Sequence, residues 1–264
     1  GQLDIRRNGA QLFDIDVGAD DTLSVTSVII GAGSAGLTKE GAGTLIIEAN
    51  SEYTGATTVN GGTLEILATA GSNAPGSTSY QINNGSTLFL NETTASNIVM
   101  ANGRGDITFG SSLTGGTLQL NGNTIFRNQT ITTTGGAKNF VSGGNFNLQN
   151  TRSIAFDTAV GTDSIDLEVS ASISSGDIIK NGAGTVSLRN SGNNLRFQNG
   201  ATGDPNTVTI NAGVLELGGA GRLVSGNYSG AINNDGIFRH NSTNDQTLNG
   251  VISGTGAIEK DNNS

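Results

Sequence analysis

One short phrase recurs along this chain: a glycine followed by a few residues in which apolar and polar side chains alternate. It reads Gly43-Thr-Leu-Ile-Ile47, Gly62-Thr-Leu-Glu-Ile66, Gly85-Ser-Thr-Leu-Phe-Leu90, Gly116-Thr-Leu-Gln-Leu120, Gly184-Thr-Val-Ser-Leu188 and Gly213-Val-Leu-Glu-Leu217. Period-two alternation puts Leu64 with Ile66, Leu118 with Leu120 and Leu215 with Leu217 on one face, and Glu65, Gln119 and Glu216 on the other. Each phrase is a sharp turn leading into a short, half-buried strand. The 41 glycines among 264 residues, with only 2 prolines, then read as corners. Glycine takes the backbone conformations that tight corners require. Asn83-Asn84-Gly85, Asn193-Asn194 and Asn233–Gly236 supply further corners of the same kind. Collagen is excluded by the lack of a Gly-X-Y period. Long helices are excluded because each interior glycine costs about 1 kcal/mol relative to alanine.

A larger unit lies over the short phrase. Residues 35–47, AGLTKEGAGTLII, are echoed by GDIIKNGAGTVSL at 176–188 and by GTGAIEK at 254–260. Aligned on Lys39, Lys180 and Lys260, the copies lie close to seven and four multiples of about 20 residues, a length typical of one solenoid coil. A sandwich would show seven to nine strands in hairpin pairs, whereas this chain offers many more short strand-like runs. The expected architecture is all-β: a single-stranded parallel β-helix of about a dozen coils, on the order of 55–60 Å long. It runs as one continuous body over 1–264, with repeat copies near 29–67, 171–217 and 251–264, the last truncated. Ala68–Ser79 and Asn199–Asn206 are expected to bulge from it as loops.

Composition narrows the function classes. The net charge of −9 and the lack of any basic run longer than Arg6-Arg7 argue against nucleic acid as a partner. The same acidity gives no attraction to anionic lipid, and no apolar run reaches membrane-spanning length, so no insertion of this segment is expected. The absence of cysteine removes disulfides and thiolate chemistry.

Residues 29–67 resemble a known repeat. The pattern Gly36, Leu37, Lys39, Gly41, Gly43, Leu45, then Asn50, Tyr53, Gly55, Thr57 and Thr58, then Gly61, Gly62 and Leu64, is similar to the passenger-associated transport repeat of bacterial autotransporter passengers. A second copy keeps Lys180, Gly182, Gly184, Val186, Leu188, Gly213 and Leu215 but replaces the Tyr-x-Gly stretch. The resemblance implies a right-handed parallel β-helix, secreted or displayed on the bacterial outer surface, with the repeat assisting export and folding. The opening residues carry no apolar signal core, and the sequence reads as a piece of a longer exported chain.

Several motifs carry possible chemistry, each with a plainer reading beside it. Gly31-Ala-Gly33-Ser-Ala-Gly36 spells a dinucleotide fingerprint, but Leu-Thr-Lys-Glu-Gly-Ala-Gly after it cannot open the helix that a pyrophosphate needs. Asp14, Asp16 and Asp20 resemble the start of a calcium loop, although the twelfth position from Asp14 is Val25 rather than an acid. Arg104-Gly105-Asp106 is the integrin-binding tripeptide, placed where a strand DITFG begins. His240 is the sole histidine, so neither a triad nor a histidine metal cluster assembles. Acid pairs such as Asp14/Asp16, Asp20/Asp21 and Asp163/Asp166 keep a polysaccharide hydrolase or lyase as an alternative. Phe89 stands between Leu88 and Leu90, so one of the two sides has to be exposed or covered by a loop. The expected function is a non-enzymatic adhesive stalk without catalytic residues or cofactors, meeting host-surface or matrix glycans or proteins. A filament built by end-to-end association is the second non-enzymatic reading.

Overall fold

The computed structural model describes residues 2–4, 12–31, 34–49, 51–68, 79–83, 85–92, 98–99, 106–110, 113–149, 152–193 and 206–261. The chain is an all-β parallel solenoid. Two long sheets run along it. One contains Thr22–Val25, Thr44–Ile47, Thr63–Ala68, Thr87–Glu92, Thr117–Ile125, Asn139–Asn147, Leu167–Val169, Thr185–Leu188, Val214–Gly219, Ile237–Ser242 and Ala257–Lys260, stacked in chain order. The other holds 11 strands from Leu12–Asp16 to Ile252–Ser253, also stacked in chain order. Neighbouring strands in both pair parallel, and the chain alternates between the sheets, adding one strand to each on every circuit. Apart from one 3-10 turn at Val224–Gly226, the described elements are strands.

The alternation read from sequence sets which side chains face inward. Leu45, Leu64, Leu88, Leu118, Val141, Val169, Leu188 and Leu217 stand in one register column and are buried. Across from them, Tyr80, Ile107, Ile131 and Phe156 form a second buried column. Each fully buried aliphatic side chain contributes about 1.5–3 kcal/mol, so the core is spread evenly along the solenoid rather than gathered at one centre. Phe126 and Phe146 meet edge to face, with centroids 4.5 Å apart.

Coil length is not constant. Thr63 lies opposite Thr44, 19 positions on, whereas Thr117 lies opposite Thr87, 30 positions on. The uniform period of about 20 residues therefore needs correction, and the lysine alignment with it. Lys39 and Lys180 both belong to the second sheet but are six strand steps apart rather than seven. Lys260 belongs to the first sheet, opposite His240, so it is not the counterpart of either. The corner Gly254–Gly256 corresponds instead to Gly41–Gly43. Hydrogen-bond register and inward side chains fix the strands, while corners and loops take up extra residues, so sequence spacing drifts where geometry does not.

Successive corners nest so closely that a side chain does not fit between them. A Cβ on Gly43 would lie 2.1 Å from the Gly18 carbonyl oxygen and 2.6 Å from that of Asp21. A Cβ on Gly18 would meet only the Asp21 carboxylate, at 2.8 Å. Gly43→Ala is expected to destabilise the protein by about 1–3 kcal/mol, because backbone has to move. Gly18→Ala should cost much less, since one flexible side chain swings away. Urea unfolding of the two variants checks the difference.

Candidate functional site

The repeat signature converges on the corner between the two sheets. Gly41 and Gly182 turn there with φ of +74° and +71°. Such turns bring several carbonyl oxygens together around a point where a buried donor can serve them all. Lys39 supplies it. Its position on Gly36–Glu40 faces inward, and the side chain is fully buried. The Lys39 ammonium donates to the carbonyls of Glu40 at 2.5 Å, Gly41 at 2.8 Å and Gly61 at 3.2 Å. Gly61 belongs to the following coil. Lys180 repeats the arrangement, donating to the carbonyls of Asn181, of Gly182 at 2.7 Å and of Ala212 at 3.2 Å. An ammonium has three protons and no acceptor, which matches three carbonyls. Each lysine thus ties its own corner to the next.

Other buried polar groups extend this seam. Asn234 shares a register column with Lys180 and Ile210, and its amide donates to the Ala257 carbonyl at 2.8 Å, again one coil ahead. Asp166 accepts from the backbone N–H groups of Gly161 and Thr185. Ser86 donates to the Val59 carbonyl at 2.8 Å. The electrostatics follow from burial. Burial lowers the Lys39 amine, against the pull of the Asp16 and Glu40 carboxylates. It brings Lys180 down to about 8, with Asp157 and Asp166 acting in the opposite sense.

Tyr53 and Gly55 hold a second corner. The buried Tyr53 hydroxyl bonds with Thr57 Oγ1 at 2.8 Å, and burial raises its pKa. A Cβ on Gly55 would lie 2.3 Å from the Ser34 carbonyl oxygen. The sequence reading missed a second example. Tyr228-Ser-Gly230-Ala-Ile232 repeats Tyr53-Thr-Gly55-Ala-Thr57, and Tyr228 is equally buried. With Ile232 where Thr57 stood, the Tyr228 hydroxyl turns to the carbonyls of Asn206 and, at 3.3 Å, Ala231. The Tyr-x-Gly spacing was the available signal. Asn50, also part of the signature, lies outside the described residues.

The remaining candidates fall elsewhere. Asp14, Asp16 and Asp20 are all exposed, and among the described residues no three acidic or histidine side chains group closely enough to hold a metal ion. Asp106 opens the strand Asp106–Gly110, and its carboxylate accepts from the Thr130 N–H at 2.7 Å; Arg104 and Gly105 lie outside the described residues. Gly36 leads into a strand, while Gly33 lies outside the described residues. Of the acid pairs, Asp163 accepts from the Lys138 N–H at 2.8 Å and Asp166 is the corner acceptor already described. His240 bonds through Nε2 to the Asn244 carbonyl at 3.1 Å. It helps to line an open cleft of about 770 Å³ with Phe238, Leu248 and Ile258, whose walls are side chains of the last described coils. Leu88 and Leu90 face the core, and Phe89 stands half-buried on the outside.

Residues 37–66 and 178–217 match the family model of the passenger-associated transport repeat. Lys39 and Lys180 both lie inside the matched segments. The chain is also 30% identical over 128 residues to the adhesin BmaC autotransporter of Brucella suis biovar 1 (strain 1330), a similarity covering 45% of this chain. It spans 4% of the length of that curated relative. No solved structure matches.

Replacing Lys180 with methionine leaves three inward carbonyls short of a donor, and a loss of about 1–3 kcal/mol is expected. The pH dependence has a definite sign. Between about 8 and the ordinary 10.5 the unfolded chain holds the proton that the folded lysine has lost, so the native state gains stability as pH rises. Lys180→Met lacks this gain. The stability gap between wild type and variant is therefore expected to widen from pH 7 to pH 9.5, as read from urea midpoints.

Proposed function

We propose that this chain, which carries passenger-associated transport repeats, is a segment of a non-enzymatic adhesive stalk, secreted or displayed on the bacterial outer surface. The observation that carries this reading is the pair of buried lysines. Both matched repeats place a lysine that bonds one coil to the next, so the repeat's most distinctive residues serve stacking rather than chemistry. Each coil contacts only its neighbours, so the stability of the solenoid is built up interface by interface along its axis. The adhesin similarity supports attachment as the task. The buried Lys39 and Lys180 amines are closed to substrate, and Asp163 and Asp166 serve as backbone acceptors, which supports a role without catalysis.

The finer geometry follows the same reading. Eleven successive strands in the second sheet support about a dozen coils. A right-handed winding is the hand that parallel strand connections take almost without exception. Folding from one formed coil onto the next suits a chain that emerges gradually from an export channel, because the corners at Gly61, Ala212 and Ala257 each take a donor from the coil before. Partners on this reading are host-surface or matrix glycans or proteins. End-to-end association remains a secondary proposal, open to sedimentation at increasing concentration.

Cells displaying this chain on a membrane anchor are expected to attach to matrix-coated surfaces more than anchor-only cells do. Lys39→Met combined with Lys180→Met should lower the amount displayed, by slowing coil-by-coil assembly. Equal attachment by anchor-only cells, at matched display, would falsify the adhesive reading. Release of reducing ends from a polysaccharide panel would replace it with an enzymatic one.

A further inference from the structure

One outward column of the first sheet changes character partway along the solenoid. From Thr22 through Thr44, Thr63 and Thr87 to Thr117, the register stacks threonine on threonine. Next comes Phe140, with the Lys138 ammonium 5.0 Å from its ring centroid. Beyond it the column continues as Glu168, Ser187, Glu216, Arg239 and Glu259. In that half the charges satisfy one another. Glu168 lies 3.2 Å from both Lys138 and Arg189, while Arg239 lies 2.9 Å from Glu259 and 3.7 Å from Glu216. The threonine half differs: the five strands that carry it contain no lysine or arginine.

Phe89 stands in the outward column beside the threonines. Glu65 and Gln119 flank it in register, and Thr87 and Asn91 flank it along its own strand. The polar neighbours are held in place: the Asn91 side-chain amide donates to Glu65 at 2.5 Å, and the Asn121 amide donates to Asn91 Oδ1 at 2.9 Å. A half-exposed aromatic ring among fixed amide, carboxylate and hydroxyl groups is a mixed surface of particular chemistry. It matches a sugar, which has one apolar C–H face and a rim of hydroxyls.

We infer that this face binds an extended, uncharged, β-linked polysaccharide lying along the solenoid axis, with Phe89 as the stacking platform. The inference rests on the adhesive reading and gives that stalk a ligand class. Strands recur every 4.8 Å or so, and an extended β-linked chain rises by a comparable length per sugar, so successive sugars meet equivalent threonines. Charge decides which glycan. Glu65 lies in the face, the five strands that form it hold no lysine or arginine, and the whole chain carries −9, so sulfated, sialylated and uronic polymers are repelled while neutral ones are not.

Calorimetric titration with cellohexaose, chitohexaose and a heparin hexasaccharide tests this. Saturable binding of a neutral hexamer is expected, with none for heparin. Phe89→Ala should weaken it at least about tenfold, the equivalent of one lost ring contact. Phe89→Tyr should keep it, and Thr63→Val, which preserves side-chain shape, should weaken it moderately. Circular dichroism confirms that each variant folds. No binding of either neutral hexamer, equal binding by folded Phe89→Ala, or preference for heparin overturns the inference. The two readings fail separately: attachment of displaying cells without hexamer binding removes the glycan surface and leaves the stalk. Hexamer binding without attachment does the reverse.

Discussion

A solenoid that turns sharply at every coil collects backbone carbonyls along its inner corner, and everything else in this structure depends on how they are satisfied. Water reaches those carbonyls only in part, and one left without a partner forfeits a hydrogen bond. Lys39 and Lys180 answer with three donors apiece, two spent on their own coil and one on the next. Asn234 makes a shorter version of the same bond. Stacking is therefore specified by directed polar contacts as well as by leucine columns. The inward leucines forbid a slip of one residue but not of two, which leaves leucine facing leucine, whereas a buried ammonium adds a preference for the register that presents its carbonyls.

Much of this was legible in the sequence, and the parts that were not share a cause. Alternation around Leu64, Leu118 and Leu215 named the inward faces, and glycine spacing named the corners. The same alternation places Lys39 on the face of Leu37, an apparent contradiction that only the corner carbonyls resolve. Coil counting failed between Lys39 and Lys180 because loop length is free of the hydrogen-bond ladder, and a period measured in residues is not a period measured in strands. Lys260 misled for the same reason: an identical letter after Gly-x-Gly sits one sheet further round. Tyr228-Ser-Gly230 shows the opposite case, a corner that the sequence displayed openly but whose partner had changed from a threonine hydroxyl to backbone carbonyls.

The outer surface divides by a different logic. Where Glu216, Arg239 and Glu259 alternate, opposite charges one strand apart reinforce stacking from outside. Where threonines stack, β-branched side chains suit the pleat, and the strands there carry no lysine or arginine. Phe89 belongs to that second region, and its position there makes sense as recognition rather than as core, because Leu88 and Leu90 already fill the interior.

The unequal coils have one more consequence. Since 19 and 30 residues alike advance the ladder by a single strand, the reach of such a stalk is counted in ladder rungs and not in chain length. Mutation can lengthen a loop without moving any rung above or below it. The linear density of the rod, residues per unit of height, is then free to vary along its axis, and evolution can thicken one level with new surface while leaving the distance from cell to tip unchanged.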